Sequence, residues 1–331
     1  MTGIAARFDP YAHDPDRWGV SLAQSAELML GCLDVAGVRS VVEIGAFAGD
    51  LTRVLVAWAG ERGARVSAID PSPQPELLAL DEAHPQLRLI RATSLASLSS
   101  IPLPDAVVID GDHNHYTVSE ELRLLGDRVP GCDLPLLLFH DVCWPHGRRD
   151  DYYAPEQIPG DRRRPVAGDA GGLFPGEPGL RPRGGLPYPR SATREGGARN
   201  GVLTAVEDFV AGRDELRIAV VPAFFGLGVV WHREASWSEE LDRLLRPWDG
   251  NPMLERLEAN RVFHLAQAHS RLVELWAAQQ RRERQEAVLR RLLESSAFAL
   301  AERLSRLRLR AGVGPGHAAV SKAEVRRALD G

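Results

Sequence analysis

Five apolar runs, at residues 41–44, 65–69, 87–91, 106–109 and 134–139, set the strongest constraint on what this chain can fold into. Each is short, rich in aliphatic residues, and bounded by glycine or polar side chains. None shows the strict alternation of a half-exposed strand. Strands that are apolar on both faces must be covered on both faces, as in a parallel sheet between two helical layers. The intervening segments agree: residues 50–59, 75–83 and 116–125 carry apolar side chains at helical spacing, as do residues 21–36 ahead of the first strand. This alternation predicts an α/β fold with a doubly wound, mostly parallel sheet. After a helix at 202–210, the runs 216–222 and 226–231 predict a terminal antiparallel pair, for seven strands in all.

The rest of the chain divides by pattern. Residues 144–200 are dense in Pro, Gly and Arg and show no period. Stretches that long in a compact domain are functional or disordered. From residue 238 the spacing is helical. Leu265, Ala268, Leu272 and Leu275 step by three and four, as do Leu289, Leu293, Ser296, Leu300, Leu304 and Leu307, on either side of the wholly polar QQRRERQE. So narrow a seam predicts a helical hairpin or a coiled-coil contact. Ser321 and Glu324 have the spacing of a capping box. The expected organisation is one domain over 1–235, with an insertion at 144–200, and a helical extension over 236–331. A net charge of −5 argues against general nucleic-acid affinity. The three cysteines, Cys32, Cys132 and Cys143, are odd in number and sparse, which fits a reducing compartment and not a disulfide framework. No charged-then-apolar leader opens the sequence, and no apolar run approaches the ~20 residues that span a bilayer. The expected location is the cytoplasm.

Between the first strand and its helix lies EIGAFAGD, residues 43–50. Gly45 permits a tight turn and the close approach of a ligand, and Gly49 lets the helix start close to the strand. The G-x-x-x-G spacing departs from the G-x-G-x-x-G of dinucleotide sites. Glu43 would repel a diphosphate and favour a cationic ligand. Asp70, at the end of the second strand, is suited to ribose hydroxyls. With VVEIGAFAGD, VSAIDPSP and the Asp110 of VVIDGDH in order on successive strands, residues 20–232 resemble class I S-adenosylmethionine (SAM)-dependent methyltransferases. The resemblance implies a Rossmann-like fold and SAM as cofactor. It also implies that Gly45 and Gly49 shape the cofactor pocket, with Glu43 near the methionine end, Asp70 on the ribose and Ser94 near the adenine. Asp110, in the fourth motif, belongs to the same pocket.

The stretch AVVIDGDHNHY, residues 106–116, packs two carboxylates, two histidines and an asparagine behind a strand. Ligands bind at the carboxyl ends of the strands in an open parallel sheet, so these groups lie on the reactive side, as does His140-Asp141 after the fifth strand. Asp110, His140 and Asp141 together can ligate a divalent ion, Mg²⁺ or Mn²⁺ being suited to oxygen ligands with open water positions. The arrangement is similar to that of metal-assisted O-methyltransferases of the catechol/caffeoyl-CoA and macrolide-sugar types. There a base lies three residues after the metal-binding Asp, here His113. His140 departs from the carboxylate more common at its position and shifts preference toward a softer ion; glycan-pathway methyltransferases carry a similar His-Asp pair. His115, at the start of a helix, is expected to point elsewhere, and Cys143 and Trp144 to pack.

The insertion carries ten arginines and Tyr152, Tyr153 and Tyr188, and follows the fifth strand, so a substrate lid is expected there. Arginine suits phosphate or carboxylate, and aromatic rings suit sugar faces. Gly196 to Asn200 either binds substrate or caps the next helix. The amphipathic, Arg-rich tail is expected to form a homo-oligomer, with peripheral attachment to an anionic membrane as the alternative. The leading functional reading is SAM-dependent O-methylation of a hydroxyl, that of a sugar in polysaccharide or glycosylated natural-product assembly. The alternatives are N-methylation, a small phenolic acceptor, and a non-catalytic scaffold of the same fold.

Overall fold

The computed structural model describes residues 21–129, 134–169, 171–313 and 320–330. Its centre is a seven-stranded sheet in the order β3-β2-β1-β4-β5-β7-β6. The strands are β1 Ser40–Ile44, β2 Arg65–Ile69, β3 Leu87–Ile90, β4 Ala106–Ile109, β5 Leu136–Phe139, β6 Leu216–Val221 and β7 Leu227–His232. The first five pair in parallel, and β7 lies antiparallel between β5 and β6. The expected architecture is the observed one. The strands β4 and β5 are buried at every position, because both faces of the sheet are covered.

One face packs on α1 (Ala26–Val35), α2 (Asp50–Arg62), α3 (Pro75–Ala83) and α7 (Ser238–Leu245), with Leu33, Leu55, Trp58 and Leu241 fully enclosed. The other packs on α5 (His115–Gly126) and α6 (Val202–Val210), with Leu122, Leu125 and Val206 fully enclosed. Each such side chain contributes roughly 1.5–3 kcal/mol of transfer free energy. Local chemistry sets the helix starts. Pro75 occupies the first turn of α3, where its missing N–H costs nothing. Asn114 caps α5 by accepting from Thr117 N at 2.9 Å. The helix expected over 21–36 is a 3-10 turn, Leu22–Ser25, followed by α1. A single-turn helix, α4 (Ser94–Ser97), follows β3.

The insertion is built without long elements. It is joined by the isolated bridges Asp151↔Ser191, Val166↔Ala192, Gly172↔Arg181 and Leu173↔Leu186. Two buried side chains tie it down. Arg149 donates to the carbonyls of Ala192 (2.6 Å) and Pro178 (3.0 Å). Asp150 accepts from His115 N, Gly201 N and the Tyr152 hydroxyl. Asn200 accepts from Asp150 N and donates to the carbonyls of Arg194 and Gly196; it braces the insertion and does not cap α6, whose N-cap is Gly201.

The chain separates into two compact units, Met1–Gln267 and Ala268–Gly331. The boundary falls later than residue 235, because Leu241 and Leu245 complete the sheet's core, and Ala266 and Leu265 pack with Phe174, Leu186 and Trp144. The helix α8 (Pro252–Glu294) runs through the polar stretch at 279–286 without a break. Pairs one turn apart support it there, Gln279 with Glu283 and Arg282 with Glu286. The break comes at Ser295, which caps α9 (Ser296–Arg310). Ser321 and Glu324 form the expected capping box at the start of α10 (Lys322–Asp330). No described helix is long and apolar enough to cross a membrane.

Candidate active site

The register of the parallel strands builds the site. Ile90, Ile69, Ile44, Ile109 and Phe139 stand side by side across five strands. The next residues continue the same ladder: Asp70 N donates to Ile90 O, Gly45 N to Ile69 O, Asp110 N to Ile44 O and His140 N to Ile109 O. One row at the carboxyl edge of the sheet therefore holds Asp70, Gly45, Asp110 and His140. The row spans the point where the chain winds from β1 to either side, which is where open α/β sheets bind ligands.

A cavity of about 500 Å³ opens on this row, and Gly45, Asp70, Ser94 and Asp110 line it. Gly45 has φ +87°, and a Cβ there would stand 2.1 Å from the Asp110 carbonyl oxygen. Asp70 is held by Phe47 N and Ser72 N, both at 2.7 Å. Ser94 donates its hydroxyl to the buried Glu121. Gly49 and Glu43 stand behind the lining. Gly49 is the left-handed N-cap of α2, where a Cβ would meet Leu80 at 2.6 Å. Glu43 is enclosed and accepts from Thr52 Oγ1 at 2.7 Å. Burial lifts its carboxyl to about 8 against that hydrogen bond.

Beside the cavity, Asp110, His140 and Asp141 present one ligand atom each within 4.8 Å of one another. His140 Nε2 lies 3.0 Å from the Phe224 carbonyl oxygen, so that nitrogen carries a proton and donates. Its Nδ1 faces Asp110 Oδ1 at 3.0 Å and Asp141 Oδ2 at 3.4 Å. A bare Nδ1 lone pair would repel both oxygens, so the arrangement calls for a proton or a cation among the three. An imidazole anchored through its far nitrogen is also how histidine is prepared as a ligand. The donor set thus fits a divalent metal. His113 completes the cluster, with Nδ1 3.2 Å from Asp141 Oδ2 and Nε2 3.4 Å from Asp110 Oδ1. Burial opposes the imidazolium, but the charges of Asp141 and Asp110 beside it outweigh it and lift His113 to about 10. For His140 the same balance gives about 9. Asp110 falls to about 2, the two imidazoles overcoming its burial.

A second cavity, about 340 Å³, shares Gly111, Asp112 and Tyr153 with the first. His113, Asp151, Tyr188 and Arg190 line it. The insertion thus borders the site, as a lid would. Most of its arginines are used differently from the expectation. Arg148 pairs with Glu207, Arg162 with Asp161 and Arg181 with Glu177, and Arg149, Arg163 and Arg164 bind backbone carbonyls; Arg190 lines the second cavity and itself donates to the Tyr153 carbonyl. His115 points away from both cavities, to Asp208 at 2.8 Å. Cys143 is half-buried, and burial pushes its thiol up to about 12. Trp144 packs against the Phe174 cluster. Cys132 lies outside the described residues.

Sequence reasoning missed several groups. Phe47 lines the first cavity with a left-handed backbone. His146 is buried 5.5 Å from His113 and edge-on to Tyr188. The carbonyl that anchors His140 comes from Phe224, 84 residues on. No local pattern marks any of them.

Residues 42–142 match the family described as "Methyltransferase domain". A search of curated proteins gives no match. Among solved structures, a methyltransferase of Podospora anserina bound to SAH is similar at 12% identity over 71% of this chain and 89% of that one, with a TM-score of 0.41. A Geobacter sulfurreducens methyltransferase is similar at 12% identity over 69% and 89%, TM-score 0.38. The 1,6-didemethyltoxoflavin-N1-methyltransferase of Burkholderia thailandensis is similar at 15% identity over 69% and 85%, TM-score 0.35. Residues 42–142, which run from β1 past β5 and carry most of the cavity at their carboxyl edge, are thus the part of the chain that is similar to a methyltransferase domain.

Proposed function

We propose that this enzyme is an O-methyltransferase whose acceptor is a sugar hydroxyl, with His113 as general base and a divalent ion held by Asp110, His140 and Asp141. The observation that carries the reading is the position of His113, which lines the second cavity and touches the ligand carboxylates. Bound SAM supplies an electrophilic methyl on a sulfonium, and a bound divalent ion would acidify and orient the acceptor hydroxyl. Asp70 would accept from the ribose hydroxyls, and Gly45 leaves room for the cofactor. The second cavity suits a polyhydroxylated acceptor. It offers the carboxylates of Asp112 and Asp151 as hydroxyl acceptors and the rings of Tyr153 and Tyr188 as faces for a sugar ring. His113 would take the hydroxyl proton. Asp110 and Asp141 hold that ring as a cation while their own charge is uncompensated. Neutralising them would bring His113 toward the range of a working base. The retained cluster favours this reading over a scaffold.

Incubation with SAM and a panel of sugars, phenols and amines should give a mass gain of one methyl on a sugar hydroxyl. A chelator should lower turnover, and Mg²⁺ or Mn²⁺ should restore it. His113→Ala should lower kcat by roughly 10²–10⁴-fold while SAH binding stays near wild type, and His115→Ala should do much less. Full activity in His113→Ala removes it as the base, and full activity in metal-free enzyme removes the ion. The exposed Leu272, Leu275, Leu300, Leu304 and Leu307 favour self-association of the extension over membrane attachment. Light scattering should then give an oligomer whose mass falls when these leucines are made polar.

A further inference from the structure

The anchor of His140 is itself held from outside the matched domain. Phe224 and Phe225 turn the chain between β6 and β7, and both are left-handed, with φ +52° and +65°. Side chains with a Cβ avoid that region, so the turn needs outside support. It receives it from Glu258 on α8. The Glu258 carboxylate accepts from Phe224 N at 3.1 Å and from Phe225 N at 2.8 Å. Two successive N–H groups converging on one anion form a nest, and here a side chain of the same chain fills it. Arg261, one turn on, grips the other side of that carboxylate through Nε (2.7 Å) and Nη2 (2.6 Å), and its guanidinium lies 4.5 Å from the Phe225 ring centre. Glu258 is 8% exposed, so water does not replace these bonds cheaply. The same turn points two carbonyls at the catalytic loop: Phe224 O accepts from His140 Nε2, and Phe225 O accepts from Cys143 N at 2.7 Å.

We propose that Glu258 is a positioning residue for the active site: it fixes the Phe224–Phe225 turn, whose carbonyl holds His140 Nε2–H and so aims Nδ1 at Asp110 and Asp141. The role of His140 rests on the function proposed above; the mechanical link from Glu258 to His140 does not. The start of α8 is thus part of the enzyme's working structure. Glu258 lines neither cavity and is not one of the three residues whose ligand atoms converge, so it acts through His140.

The test uses the full chain labelled with ¹⁵N-histidine. Wild type should show a His140 Nε2–H resonance protected from exchange with water, since that proton is present whether the ring is neutral or cationic. In Glu258→Ala the protection should fall at least 10-fold. Glu258→Gln keeps one carbonyl acceptor and should fall between; it also serves if the alanine variant does not fold. In whichever variant folds, SAH affinity should stay within about 2-fold, and kcat should fall roughly 10-fold, the lower end for loss of an outer-shell partner, with the acceptor KM little changed. Unchanged protection of His140 in a folded Glu258 variant overturns the proposal, whatever the activity. If protection is lost as expected but the wild-type protein methylates nothing, the proposed reaction fails and the positioning role stands.

Discussion

Replacing Gly45 by alanine separates two reasons for a glycine at the site. Its φ of +87° disfavours any residue with a Cβ, and the added atom would sit 2.1 Å from the Asp110 carbonyl oxygen and 2.5 Å from Gly111 Cα. Those obstacles are backbone, and the ladder bonds Gly45 N→Ile69 O and Asp110 N→Ile44 O, each 2.9 Å, hold them in place. The left-handed conformation costs about 1–2 kcal/mol. Overpacking against a neighbour that cannot step aside adds about 1–3 kcal/mol. The total, about 2–5 kcal/mol, is a large part of the 5–15 kcal/mol typical of a domain. Gly49 is the control. Its φ is +83°, but its Cβ would meet the far end of the Leu80 side chain, which can rotate. Gly49→Ala should therefore cost only the conformational part, about 1–2 kcal/mol. Urea denaturation of both variants measures the difference, and calorimetry with SAH measures the consequence. Gly45→Ala displaces the Asp110 carbonyl and should weaken SAH binding by more than about 10-fold, or about 1.4 kcal/mol, while Gly49→Ala largely keeps it. Equal loss of stability in the two variants, or wild-type SAH affinity in Gly45→Ala, would refute the close approach as the reason for Gly45.

Two further outcomes follow from buried charge. Glu121 is enclosed, and burial lifts its carboxyl to about 8 despite its hydrogen bond from Ser94. The folded protein then keeps a proton that the unfolded chain loses near its ordinary carboxylate pKa. Stability should decline as pH rises from about 4.5 to 8, by about 1.4 kcal/mol per unit for such a group, and Glu121→Gln should flatten that slope in denaturation curves taken across the range; an unchanged slope would mean the group ionises freely. Arg149 is fully buried and tethers the insertion through the carbonyls of Ala192 and Pro178. Arg149→Ala should speed limited proteolysis within residues 150–200 while the sheet's core still melts cooperatively; resistance equal to wild type would show that other contacts hold the insertion.

The sequence by itself determined the seven strands, the order of the glycines and acids along them, and the edge of the sheet on which the cavity opens. These are short-range signals: an apolar run of strand length, a turn that needs glycine, a polar residue where the run stops. Parallel register then places Asp70, Gly45, Asp110 and His140 in one row, because every strand ends at the same level. Only the tertiary structure decided which groups meet beyond that row. Glu43 and Gly49 support the cavity from behind; His146 stands beside His113; most insertion arginines pair with protein groups instead of facing a ligand. The anchor of His140 comes from Phe224, and the support of that turn from Glu258 in a helix whose local sequence carries no mark of it. A residue's place in a strand follows from its neighbours in the chain, whereas its partner across the fold follows from packing that brings residues 84 and 34 positions apart into hydrogen-bond reach.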